Sequence, residues 1–190
     1  AGNYQKGHVQ VGTFNITIEN PKGSVRSGID TEGNQWETIM QNTYGYIRGT
    51  EGVDGDHIDV FLSDDIDGWN GRRVFVVDQY NEDGSFDEHK VMLGFNETDD
   101  AEAAYFANYD SDWANNHKTM VTAVNLEDFE KWIDSSHRKT KAFAEYKSVK
   151  SVEEQSSGTQ VDRLSEIKSR IEELHKEQEA AHVQSDIFED

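Results

Sequence analysis

The chain runs Tyr44-Gly-Tyr-Ile47, then Asp54-Gly-Asp-His-Ile-Asp59, then Val60-Phe-Leu62. Three carboxylates within six residues lead straight into a short apolar run with the character of a buried strand. An Asp/Gly-rich turn ahead of a strand would explain the spacing on its own. The other reading is a set of hard oxygen ligands, at a density suited to magnesium or a similar ion. On an extended backbone alternate residues face one side, so Asp54 and Asp56 are expected to point together. Gly55 lets the chain turn, and Asp59 joins them from the strand entrance. An EF-hand loop is excluded, because its fifth position would be Ile58 and its twelfth Asp65 rather than Glu.

Strand signals surround this segment. Val9, Val11, Phe14, Ile16 and Ile18 recur with the alternation of one or two strands. Pro21-Lys-Gly-Ser24 reads as a turn, and Gly33-Asn34 as a hairpin turn with Trp36, Thr38 and Met40 alternating behind it. Val74-Phe-Val-Val77, Lys90-Val-Met-Leu-Gly94 and Thr119-Met-Val-Thr-Ala-Val124 read as further strands, with Asn81-Glu-Asp-Gly84 turning between the first two. Helix formers dominate from Asp99 to Tyr109, with Ala103, Phe106 and Ala107 expected on one side. A second helix opens at Leu126, its apolar positions being Leu126, Phe129, Trp132 and Ile133. Many short strands followed by a few helices predict an α+β fold built on a small barrel-like sheet.

At 190 residues the chain can hold one well-packed domain and an appendage. The domain is expected over residues 1–150. Ser151 to Gln160 is polar, contains Ser-Ser-Gly and reads as a linker. Over 161–185, Val161, Leu164, Ile167, Ile171 and Leu174 recur at helical spacing in a charged stretch. Such an amphipathic helix cannot bury its stripe alone, so it packs on the domain or pairs with another chain in a homo-oligomer. The sequence begins at Ala1 without a Met, which leads us to expect a piece of a larger, multidomain chain.

Cysteine is absent, which removes disulfides and thiolate chemistry and fits a reducing cytoplasm. No segment has the apolar length of a membrane span, and the polar N-terminus lacks a signal peptide's hydrophobic region. The formal charge of −20, from 38 acidic and 18 basic residues, repels a phosphate backbone, so nucleic acid is not the expected partner. The same arithmetic bears on small phosphates. An acidic site holds an anionic substrate only with cations between carboxylate and phosphate.

Four motifs in order resemble those of the soluble inorganic pyrophosphatases, over about 130 residues from Thr13 to Tyr146. Glu19-Asn-Pro-Lys-Gly-Ser24 with Arg26 is similar to that family's Glu-Ile-Pro-Lys-Gly-Ser and following basic residue. Tyr44-Gly-Tyr-Ile47 stands at the family's interval before Asp54-Gly-Asp-His-Ile-Asp59. Glu88-His-Lys90, or Asp87 with Lys90, resembles its acid–lysine strand, and Tyr105-Phe-Ala-Asn-Tyr109-Asp110 its helix ending. The runs Ile18–Gly28 and Phe86–Gly94 more narrowly resemble the pyrophosphatase-like domain of large polyvalent proteins in phages and mobile elements.

The resemblance implies an OB-like β-barrel with flanking helices, and magnesium-dependent hydrolysis of pyrophosphate or a related small phosphoanhydride. It implies that Asp54, Asp59 and the Asp87/Glu88 pair ligate metal, with Asp78 or Asp83 as a further ligand and Glu19 at the site's edge. Asp56 becomes the general base, and Lys22, Arg26, Tyr44, Lys90 and Tyr109 hold phosphate oxygens. His57, where the family has Pro, and His89 are read as bystanders, since magnesium prefers oxygen. Two of the family's cations are missing: its Asp-Arg pair gives way to Trp36-Glu-Thr-Ile-Met40, and a lysine to Asp110. Arg48, Arg72 or Arg73 are the candidates to replace them. Each lost charged contact costs roughly 1.5–3 kcal/mol, which points to weaker pyrophosphate binding or another phosphoanhydride. The alternative to an enzyme is a non-catalytic binding module. Bacterial relatives form hexamers, an interface that the appended helix would block or replace.

Overall fold

A computed structural model describes residues 4–134 and 139–146, together with Ser169, Glu172, Glu173 and Lys176. The described strands are β1 (Gly7–Val11), β2 (Phe14–Asn20), β3 (Val25–Ile29), β4 (Gln35–Ile39) and β5 (Thr43–Ile47). They continue with β6 (Ile58–Leu62), β7 (Arg73–Tyr80), β8 (Phe86–Leu93) and β9 (Thr119–Asn125). The helices are α1 (Thr98–Ala107), α2 (Ser111–Asn116) and α3 (Leu126–Asp134). The chain divides into two units, Ala1–Tyr146 and Lys147–Asp190. The linker expected over 151–160 lies outside the described residues, as does nearly all of the helix expected over 161–185. The four described positions there are helical and exposed.

Seven strands form one sheet in the order β1-β2-β5-β6-β8-β7-β9, and β3 pairs with β4 as a separate hairpin. Every pairing is antiparallel except β6 with β8. The fold is α+β and sheet-dominated. The ladders run in series from β1 to β9, and no ladder among the described residues joins those two edges.

Period-2 alternation splits the core between the two faces of the sheet. Ile58, Val60 and Leu62 of β6 share one face with Val74, Val76, Val91 and Leu93, and α3 covers it with Phe129, Trp132 and Ile133. Phe61, Phe75, Val77 and Met92 lie on the other face with Tyr44, under Ala101 and Tyr105 of α1. The α1 stripe therefore differs from the expected one: Ala101 and Tyr105 are buried, while Ala103 and Ala107 are exposed. Helix-former composition located that helix, but the sheet beneath it chose the face.

The Gly45 position explains the middle of the tyrosine motif. A Cβ there would stand 1.9 Å from the Thr17 carbonyl oxygen on β2. Only glycine allows β2 and β5 to approach, and that approach fixes where Tyr44 and Tyr46 project.

Candidate active site

Asp59 and Lys90 are register partners on the parallel β6–β8 ladder, and Tyr46 on β5 stands opposite Asp59. Tyr44 and Glu88 lie two residues from Tyr46 and Lys90 along their own strands, so all project from the same face. This is the face of the second core, at the end where apolar packing gives way to charge.

Glu19 stands two residues beyond Thr17, the partner of Tyr46, and so projects from the same face. Ile18 pairs with Gly45 and Asn20 with Tyr44, so Glu19 is the unpaired residue of a β-bulge. The loop between β5 and β6 supplies two more acids. It is a turn rather than the extended run expected: Gly55 adopts φ 88°, and Asp54 Oδ1 accepts the Asp56 backbone N–H at 3.0 Å. The turn still presents Asp54 and Asp56 to one cavity of about 460 Å³.

Five carboxylates line that cavity (Glu19, Asp54, Asp56, Asp59 and Glu88) against two cations, Arg26 and Lys90. Lys90 is almost fully enclosed. Its ammonium donates to Asp59 Oδ2 at 2.5 Å and to the Tyr44 hydroxyl at 3.0 Å, and it pairs with Glu88 Oε2 at 3.0 Å. The Tyr44 hydroxyl donates to the same Asp59 oxygen. Burial works against the lysine's charge, but the Tyr44 and Tyr109 hydroxyls and the Asp59 and Glu88 carboxylates outweigh it, and Lys90 stays above the usual lysine range. Burial also raises the Glu88 carboxyl, with Lys90 opposing.

Arg26 comes from the separate hairpin. Its guanidinium stacks over the Tyr44 ring at 4.3 Å and the Trp36 ring at 5.2 Å. No carboxylate among the described residues forms an ion pair with it. Its planar donors are held over the cavity by aromatic faces, which suits a phosphate. Asp56 likewise accepts no side-chain hydrogen bond from another described residue and stands exposed at the cavity mouth.

The region that builds this cavity is also the region that matches known proteins. The family model described as Inorganic Pyrophosphatase matches residues 1–134. The chain belongs to the inorganic pyrophosphatase family. Among solved structures it is similar to the inorganic pyrophosphatase of Helicobacter pylori, at 18% identity over 64% of this chain and 89% of that one, with a TM-score of 0.40. That of Coxiella burnetii is 17% identical over 64% of this chain and 90% of its own, with a TM-score of 0.37. That of Neisseria gonorrhoeae is 17% identical over 68% and 89%, also with a TM-score of 0.37. No curated protein sequence matches the chain. At these TM-scores the family membership rests on the family model.

Of the residues expected to form a pyrophosphatase site, Glu19, Asp54, Asp56, Asp59 and Glu88 line the cavity, and so do Arg26, Tyr44 and Lys90. Five others are not among the lining residues. Lys22 is paired with Asp64, both about half exposed. Asp83 sits in the β7–β8 turn, where Ser85 donates to it from backbone N and from Oγ. Asp87 is the unpaired residue of a bulge on β8 and is not a lining residue. Asp78 is buried on the other face, accepting the Phe143 and Ala144 backbone N–H groups at 2.7 and 3.0 Å. Tyr109 packs on Trp113 with its hydroxyl buried, near enough to Lys90 to favour the lysine's charge. Burial raises the Tyr109 hydroxyl.

The residues at the expected departures have local roles. Asp110, standing where the family has lysine, caps α2 by accepting the Asp112 and Trp113 backbone N–H groups. Thr38 is the hairpin partner of Arg26. None of Arg48, Arg72 and Arg73 is among the lining residues.

The sequence reading gave no role to two residues that do line the cavity. Tyr46 and His57 stack at 4.5 Å with planes 7° apart, and His57 Nδ1 lies 2.9 Å from the Thr50 carbonyl oxygen. The alternation of Tyr44 with Tyr46 was the available signal for the first. Nothing in the sequence signals the second, because its position depends on the turn at Gly55.

The donor set fits a hard divalent cation in its chemistry, being carboxylate throughout. Among the described residues, however, no three acidic or imidazole groups converge closely enough to hold an ion as they stand. Asp59 and Glu88 are turned to Lys90, and Asp54 to the loop backbone.

Proposed function

We propose that this cavity hydrolyses a phosphoanhydride, inorganic pyrophosphate in the first instance, with magnesium held by Asp54, Asp59 and Glu88 and bordered by Glu19. The observation that carries the reading is the convergence of five carboxylates and two cations on one cavity within the family-matched region. A divalent ion, when bound, supplies Lewis-acid polarisation of the phosphoryl oxygens and eases deprotonation of water. It also offsets the excess of acid over base in the lining.

The chain's own residues perform the remaining tasks. Asp56, exposed and unpaired among the described residues, accepts a proton from the attacking water. As the water oxygen bonds to one phosphorus, the bridging P–O bond breaks and the second phosphate leaves with the electron pair. Arg26 donates to phosphate oxygens from its aromatic seat, countering the charge that gathers on the leaving group. Tyr46 and His57 wall the mouth and orient the substrate.

Closure of the sheet into an OB-like barrel belongs to the same reading. So do a cytoplasmic setting and a place within a larger phage or mobile-element chain, supported by the runs Ile18–Gly28 and Phe86–Gly94. The comparisons lend no support to a purely binding module. Among the described residues no helix is long and apolar enough to cross a membrane.

The test is phosphate release from pyrophosphate with and without magnesium. Asp56→Asn should lower the metal-dependent rate about 100-fold or more. Unchanged turnover of that variant at saturating magnesium would overturn the assigned role.

A further inference from the structure

We propose that Lys90 is the internal counter-cation of Asp59 and Glu88, displaced when a divalent ion binds, and that only the displaced ammonium can donate to a phosphate oxygen. The inference rests on the hydrolase reading, which makes Asp59 and Glu88 metal ligands.

An ammonium has three N–H donors. Lys90 directs them at Asp59 Oδ2 at 2.5 Å, Glu88 Oε2 at 3.0 Å and the Tyr44 hydroxyl at 3.0 Å. Its side chain is 2% exposed, so water has almost no access to it. In this arrangement no donor is left for substrate. The fold imposes the arrangement. Asp59 and Lys90 are register partners on adjacent strands, and Glu88 precedes Lys90 by two residues on the same face.

The same contacts explain why the acids do not form a ready ion site. Two of the three proposed ligands are turned toward the lysine. A doubly charged ion entering between Asp59 and Glu88 attracts both more strongly than one ammonium does, and it repels that ammonium. Lys90 keeps its charge and the Tyr44 hydroxyl but loses both carboxylates, and an oxygen of the bound anion takes up the donors they release. Ion and phosphate therefore bind with positive coupling, each raising the other's affinity. A lysine serving only as a phosphate contact predicts no effect on ion binding. One serving only as a scaffold for the carboxylates predicts weaker ion binding when it is removed.

The experiment is calorimetric titration of the full chain with magnesium alone, comparing wild type, Lys90→Met and Lys90→Arg. Lys90→Met should bind magnesium about tenfold tighter or more, because a competing charge is gone. Lys90→Arg, which keeps the charge, should stay near wild type. Unchanged or weaker binding by Lys90→Met overturns the proposal. Removing a buried charge can cost the fold, so a second measurement uses wild type. The Lys90 ammonium signal, followed by ¹⁵N-lysine NMR, should shift on adding magnesium and shift again on adding inorganic phosphate. A signal unmoved by saturating magnesium overturns the proposal as well. These readouts separate it from the activity it rests on. Tighter magnesium binding without pyrophosphate turnover removes the hydrolase reading alone, and turnover with unmoved magnesium affinity removes this one alone.

Discussion

Asp59 and Lys90 face each other across the one parallel ladder among the described residues, and their side chains meet at 2.5 Å in the cavity lining. Lys90 is enclosed, so its charge depends on the carboxylates that surround it. Asp59→Asn leaves Glu88 as the only carboxylate partner the described residues give it. We expect a loss of about 3 kcal/mol in metal-free stability, read by urea denaturation. A loss below about 0.5 kcal/mol, typical of exposed pairs, would show that the ammonium is hydrated and the cluster loose.

Arg26 is the cavity's other cation, and it carries no carboxylate partner among the described residues. Arg26→Ala should raise KM for pyrophosphate by about 10- to 100-fold, the worth of one charged hydrogen-bonding contact. Its stability should change little. Trp36→Ala, which removes one of the two rings that seat the guanidinium, should raise KM by a smaller factor. Steady-state kinetics at saturating magnesium decides both. A KM unchanged in Arg26→Ala would place the substrate away from the hairpin.

Gly45 has no tolerance for a side chain, since a Cβ would meet the Thr17 carbonyl oxygen at 1.9 Å. The clash is with backbone, so β2 and β5 would have to part. Gly45→Ala should destabilise by about 3 kcal/mol, measured from the urea midpoint. It should also lower activity, because Tyr44 and Tyr46 ride on the same strand.

His89 sits on the face opposite the cavity, its Nε2–H donating to the Lys141 carbonyl at 2.9 Å. Burial first, and then the nearby Lys139 charge, push it from 6.5 down to about 4. A histidine depressed on folding binds its proton more readily in the unfolded chain. Stability is therefore complete above pH 6.5 and falls as pH drops toward 4, by about 3 kcal/mol. Asp78 lies 3.8 Å from His89, and burial raises its carboxyl, with Glu145 adding to the effect. That shift has the opposite sign, favouring the folded state on the acid side, and offsets part of the loss. His89→Gln keeps a donor without the titration, so its melting temperature in metal-free buffer should vary less between pH 6.5 and 4. Equal acid sensitivity in the two proteins would move the effect to other groups.

The strands of β2, β6, β7, β8 and β9 were legible because each carries several apolar residues at period 2 or in an unbroken run. Short-range composition fixes such elements before any partner is known. α2 was missed, since Ser111–Asn116 is short and polar and exists by virtue of the Asp110 cap. In the site, the acids at Asp54, Asp56 and Asp59 could be read because they are close in sequence. Asp83 and Asp87 are equally acidic and only seven and three positions before Lys90, yet one sits in a turn and the other in a bulge, and neither lines the cavity. Residue type and spacing do not encode a bulge.

By itself, then, the sequence determined the fold class, the order of the motifs and the acids that open β6, because these depend on local pattern and on residues adjacent in the chain. It also determined the large excess of acid over base, because net charge is a sum over composition. Only the tertiary structure decided that Asp59 and Lys90, 31 positions apart, are neighbours and share a charge. It alone showed Glu19 on the cavity lining, Arg26 seated on two rings and Asp78 spent on backbone. Those outcomes depend on strand register and on how a sheet divides its two faces, and both are settled when distant segments pack.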